Sequence, residues 1–158
     1  MGVNVILNKL VTDYKENLVV LNDGKTIPAK TLIWVSGVTS EHIDGLPDET
    51  IGHAGRMLVN ECNQLQGFSN IFVIGDICLQ QEEAYPKGHP QVAPVAIQQG
   101  KLLADNLKKI QTNEQMKPFH YRNQGSLATI GRNKAVADLG RIKLHGFFAW
   151  AVWMLVHL

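Results

Sequence analysis

Asn70-Ile71-Phe72-Val73-Ile74-Gly75-Asp76 is the stretch whose reading decides the fold. Four apolar residues in succession, two Ile and one Val among them, read as a strand buried on both faces, as in a parallel sheet. Ligands of such sheets bind just beyond the carboxyl ends of the strands. Gly75 removes a side chain at that point and lets a ligand approach the backbone. Asp76 then offers a carboxylate that accepts hydrogen bonds from sugar-like hydroxyls. Taken alone, the stretch also reads as a core strand ending in an ordinary Gly-Asp turn, and the helix that follows weighs against that plainer reading.

That helix is predicted from about Pro94 to Ile110. Proline suits a first helical turn, where its missing N–H has no intrahelical partner to lose. Ala96, Leu103, Leu107 and Ile110 fall on one face at helical spacing, and Lys108 and Lys109 suit the negative end of the macrodipole. Gln98 and Gln99 are neighbours about 100° apart, so they cannot both point inward. Between Asp76 and the helix lies a polar loop, residues 80–91, of the length and place that more often carries function than not. His89 in it is expected to be solvated.

Upstream, residues 3–7 are an apolar run expected to form a strand. Residues 9–14 and 17–21 follow as strands, with Lys15-Glu16 between them. Asn22-Asp23-Gly24-Lys25 is a hairpin turn, and residues 26–29 form the next arm, which Pro28 confines to an edge or a strand end. Residues 31–35 read as a further buried strand. Residues 39–67 are rich in turn residues and read as a connector, with one short strand at 57–60. Downstream, residues 126–131, 134–139 and 141–144 are three short strands, the first two joined by Gly131-Arg132-Asn133. Residues 146–158 form a helix apolar nearly all round, which is buried in protein or placed against lipid. It is too short to span a bilayer, and Trp150 and Trp153 are residue types enriched at the membrane–water interface.

Composition bounds the function. A hydrophobic content of 45% supports a buried core. A net charge of +1 without a Lys/Arg run gives no case for nucleic acid. Cys62 and Cys78 form neither a CxxC nor a disulfide framework and read as reduced intracellular thiols with a packing role. There is no signal-peptide pattern and no metal-ligand cluster. The abrupt start and the apolar end lead us to expect a fragment of a longer protein, cut at both ends.

A sheet end bearing Gly75-Asp76 and a helix N-terminus at Pro94 can face one ligand. The helix end carries partial positive charge and free N–H groups. A flavin meets both demands: its ribityl hydroxyls and pyrophosphate suit Asp76 and nearby backbone, and its N1–C2=O edge becomes anionic on reduction.

Residues 31–37, 70–76 and 93–96 resemble the pyridine-nucleotide-dependent flavoproteins with two dinucleotide-binding domains. His89-Pro90-Gln91-Val92-Ala93, Ala96-Ile97-Gln98-Gln99-Gly100, Pro118-Phe119-His120-Tyr121, residues 125–131 and Lys134-Ala135-Val136-Ala137 narrow the resemblance to type II NADH:quinone oxidoreductases. It implies an α/β fold: the C-terminal fragment of a Rossmann-like flavoprotein with a small antiparallel β meander and a C-terminal membrane-facing helix. Residues 1–40 are then the end of the NADH-binding domain, 41–117 the C-terminal part of the FAD-binding domain, and 118–158 the start of the membrane-facing region.

The resemblance further implies FAD as cofactor, held by Gly75, Asp76, Ala93, Pro94 and Val95. Asp76 would be the ribityl-binding carboxylate and Val95 a backbone N–H donor to flavin O2. Gln98 and Gln99 would lie in the quinone vicinity. Pro94 stands where the family often has glutamine. NADH, a membrane quinone and a lipid surface are the implied partners, with a homodimer at the cytoplasmic face of the inner membrane. No side chain here is expected to do acid–base catalysis, because the cofactor carries the chemistry. Neither GxGxxG fingerprint is present, so this chain alone is expected not to oxidise NADH. The alternatives are an inactive truncated flavoprotein module and a ferredoxin or rubredoxin reductase type.

Overall fold

A computed structural model describes residues 2–157 except His42 and Arg141. Arg141 and Leu158, read at the ends of the last strand and helix, therefore lie outside the described residues, as does Met1. The chain divides into two compact units, the first ending at Val38 and the second beginning at Thr39.

The first unit is the expected meander: β1 (Val11–Lys15), β2 (Leu18–Leu21) and β3 (Thr26–Pro28), antiparallel in sequence order. Lys15 pairs with Leu18 across Glu16 and Asn17, whose φ values of 49° and 62° mark a hairpin of the primed type. Gly24 at φ 81° closes the second turn, and Lys9 pairs with Asp23 beside it at 2.6 Å. Pro28 sits at the end of its strand, opposite Leu18. Val19 and Leu21 are buried on one face.

Two expected strands are absent from this unit. Residues 3–7 and 31–35 pair with nothing among the described residues, and Val5 and Val35 are exposed. An apolar run becomes a strand only when a neighbour takes its N–H and C=O groups.

The second unit corrects the reading of residues 70–76. They form no parallel strand. Val73 alone of their side chains is buried, while Ile71, Phe72 and Ile74 are half-buried. The segment instead lies antiparallel to residues 63–65: Phe72 bridges Gln64, Leu65 N–H donates to Ile71 O, and Val73 N–H donates to Asn63 O. Among the described residues no strand flanks it on either side, so its backbone pairs with the nearest hairpin. The parallel pairing belongs to β4 (Met57–Leu58) and β5 (Cys78–Leu79). Met57, Val59, Leu65, Val73 and Cys78 form the core around them.

Helix α1 (Ala93–Gln111) matches its expected extent, but a different face is turned inward. Val95, Gln99 and Asn106 are the buried positions, whereas Leu107 and Ile110 are exposed. Polar side chains point inward because each finds backbone partners there. Asn106 accepts from Lys117 N–H at 2.8 Å and donates to Lys117 O at 2.9 Å. Buried amides so paired carry little penalty.

Beyond α1, β6 (Ser126–Thr129), β7 (Ala135–Asp138) and β8 (Lys143–His145) form an antiparallel sheet. Ala135 and Ala137 are buried while Val136 and Asp138 are exposed, the alternation of a one-sided sheet. These small side chains let α2 (Gly146–His157) lie close, with Ala149 fully buried against them and Trp150 and Trp153 packed beside it. Among the described residues no helix is long and apolar enough to cross a membrane.

Candidate functional site

Gly75–Ile77 is a single 3-10 turn linking the core segment to β5. Gly75 has φ 74°, which its lack of a Cβ makes cheap. Space is not the reason for glycine here, since an added Cβ would meet Ala96 Cβ at an ordinary 3.6 Å. Three links tie this turn to the start of α1: that approach to Ala96, Gly75 N–H donating to Gln99 Oε1 at 2.7 Å, and Gln91 Nε2 donating to Asp76 O at 3.0 Å. The turn and the helix start are therefore side by side, as the sequence suggested. Asp76 is exposed, and its carboxylate accepts no hydrogen bond from the described residues.

Among the described residues no side chain caps the helix end; Val92 enters it in extended conformation. Ala93 is exposed, Pro94 is half-buried and has no N–H, and Val95 is buried. Val95 N–H donates to Val92 O at 3.0 Å, with Ala96 N–H on the same carbonyl at 3.4 Å. The donor expected to serve a flavin thus also closes the first helical turn.

The two glutamines separate as their spacing requires. Gln99 is buried; its oxygen takes Gly75 N–H, and its Nε2 lies 3.4 Å from Cys78 Sγ. Gln98 lies half-exposed and pairs with the backbone of Arg122, accepting from its N–H and donating to its carbonyl, both at 3.0 Å. It borders a cavity of about 300 Å³ shared with Lys101, Leu102, Phe119 and His120.

Cys78 is a free thiol in the core, and Cys62 is free and partly buried. Burial pushes the Cys78 thiol above its ordinary pKa despite amide contacts from Gln99 and Asn63, so it stays protonated and serves packing.

His89 departs from expectation. It is 2% exposed, not solvated. Its ring sits 4.9 Å from Tyr85, 5.3 Å from Phe119 and 5.9 Å from Tyr121, centroid to centroid. The sequence signal was present in the aromatics at 85, 119 and 121, but only the fold brings them to one residue. Arg56 was not singled out by its sequence context either. It is buried, and its guanidinium donates to Cys78 O and, at 3.0 Å, to His89 O.

Residues 1–100 match the family model described as pyridine nucleotide-disulphide oxidoreductase. The chain belongs to that family. It is 35% identical to the type II NADH:quinone oxidoreductase NdhA of Mycobacterium tuberculosis, over all of this chain and 35% of that protein. It is 31% identical to the enzyme Ndh of the same organism, again over all of this chain and 35% of the relative. The chain thus spans little more than a third of the curated relatives it matches. A solved structure of NDH2 from Plasmodium falciparum in complex with NADH superposes with a TM-score of 0.78 at 20% identity, covering 95% of this chain and 46% of that one. That likeness shows the family's fold.

Proposed function

We propose that this chain is the C-terminal part of an FAD-dependent NADH:quinone oxidoreductase. Residues 1–40 end the NADH-binding domain, 41–117 return to the FAD-binding domain, and 118–158 begin a membrane-facing region. The observation that carries the reading is the pairing of an exposed Asp76 carboxylate, which accepts no hydrogen bond from the described residues, with a start of α1 that none of their side chains caps, held together through Gly75, Gln91 and Gln99.

These residues fit FAD. The Asp76 carboxylate is available to hydroxyl donors, and the helix end at Ala93, Pro94 and Val95 favours a group that gains negative charge. When bound, FAD supplies the redox chemistry, taking hydride from NADH and passing two electrons to a quinone. The protein's own work is positional. Asp76 would orient the sugar-like chain, Gly75 would let the backbone approach, and Gln99 would hold Gly75. Gln98, bordering its cavity, would stand on the quinone side.

Helix α2 supports a lipid contact at the cytoplasmic face of the inner membrane. At 100° per residue, Phe148 and Leu155 share one side, opposite Trp150 and Trp153. Phe148 is 77% and Leu155 80% exposed, with Phe147 and Val156 exposed beside them. Side chains of this kind favour an interfacial position over water.

The test is an anaerobic absorption spectrum of the intact flavoprotein that carries this chain. We expect flavin bands that NADH bleaches and a soluble quinone restores. A protein that holds no flavin, even after incubation with FAD, would refute the reading.

A further inference from the structure

Buried polar atoms in folded proteins almost always have hydrogen-bond partners, and exceptions call for a reason. His89 is such an exception: neither Nδ1 nor Nε2 has a hydrogen-bond partner among the described residues. Phenylalanine or leucine would suit a pocket walled by Tyr85, Phe119 and Tyr121 without leaving two ring nitrogens unmatched. What histidine adds is titration near neutral pH.

We infer that His89 is a pH-sensitive positioning residue: in its neutral form it seats residues 80–92 against the core, and gaining a proton unseats them and loosens the Asp76 turn. The effect on the cofactor rests on the reading of that turn as an FAD contact.

The connections are short. His89 O is clamped by Arg56, which also holds Cys78 O on β5. The preceding Gly88, at φ 85°, passes so close that an added Cβ would run into the Leu79 side chain and lie 3.3 Å from Arg56 Nη1. Two residues beyond His89, Gln91 donates to Asp76 O, and α1 begins at Ala93. The seating of His89 thus sets where both Gln91 and the helix start lie.

Burial, and not the charges around the ring, favours the neutral form. Within its own loop it faces Tyr85 and Glu82, whose Oε1 lies 3.9 Å from Nε2, beyond hydrogen-bond distance. From the segment after α1 it faces Tyr121, while His120 Nδ1 lies 3.8 Å from the other oxygen of the same carboxylate. Arg56 stands at its carbonyl. Burial holds the imidazole below its ordinary value of 6.5; Glu82 opposes this and Arg56 adds to it. A histidine depressed in the seated state stabilises that state fully above about pH 6.5, and the contribution falls away as pH drops toward the lowered value.

Hydrogen exchange of residues 80–92 in the intact flavoprotein tests this, together with FAD release followed by flavin fluorescence, both from pH 8 to 5. In the wild type, protection corrected for the intrinsic rate should fall below about pH 6.5, by at most about tenfold per pH unit for one proton. FAD release should rise in parallel. His89→Phe and His89→Leu should flatten both curves. Glu82→Gln, which removes the anion that tolerates a buried imidazolium, should move release to higher pH. If both folded His89 variants follow the wild-type curves, or Glu82→Gln moves release to lower pH, the inference is wrong. Exchange that behaves as expected in a protein binding no FAD would keep the positioning role and overturn only the cofactor reading.

Discussion

Gly75 N–H donates to Gln99 Oε1 at 2.7 Å, joining the turn that carries Asp76 to the second turn of α1. One side-chain amide thus fixes the register between the two elements of the candidate site. Gln99→Leu keeps the bulk and removes the acceptor. A buried group left without its partner costs about 1–3 kcal/mol. We expect a destabilisation of that size in urea unfolding, with weaker FAD binding. An unchanged midpoint would mean that the turn is held by other contacts.

Asn106 performs the same task at the far end of α1, pairing with both backbone groups of Lys117. It is fully buried. Asn106→Leu orphans a backbone N–H and a carbonyl together, and should cost about 1–3 kcal/mol. For a chain of this size that lowers the melting temperature by roughly 2–4 °C per kcal/mol. Calorimetry of wild type and variant would measure it; equal melting temperatures would show that the pairing does not hold the end of the helix.

The two sides of α2 should behave differently. Phe148→Glu with Leu155→Glu alters only exposed positions and should release the intact protein from anionic liposomes while leaving its melting curve in place. Trp150→Glu with Trp153→Glu alters side chains packed on Ala135, Ala137 and Ala149. Each large apolar side chain is worth roughly 1.5–3 kcal/mol when fully buried, and these two are half-buried, so this pair should destabilise the sheet and helix and lower the melting temperature. Sedimentation of the first double variant with liposomes as in wild type would remove the lipid contact from this helix.

These contrasts show what could be read in the sequence. The meander, the three-strand sheet after residue 125 and both helices were legible because their signals are local: turn residues at Asp23-Gly24 and Gly131-Arg132-Asn133, and periodicity in α1. Residues 3–7, 31–35 and 70–76 misled because apolar character states only that a segment wants cover, and strand pairing depends on neighbours. The inward face of α1 was misjudged for a related reason. Leu107 and Ile110 look like core, yet Gln99 and Asn106 are buried because Gly75 and Lys117 meet them there. The nearness of Gly75-Asp76 to Pro94 was legible; the burial of His89 was not, because its walls come from Tyr85 on one side of α1 in the chain and Phe119 and Tyr121 on the other.

The most direct test of the central claim is an FAD titration of the refolded apoprotein of the intact enzyme, wild type against Asp76→Ala. A hydrogen bond to a charged carboxylate contributes about 1.5–3 kcal/mol, or roughly ten- to a hundredfold in affinity. We predict a dissociation constant raised by that factor in a variant whose circular dichroism matches wild type. A folded variant that binds FAD with the wild-type constant would contradict the assignment of Asp76 to the cofactor site.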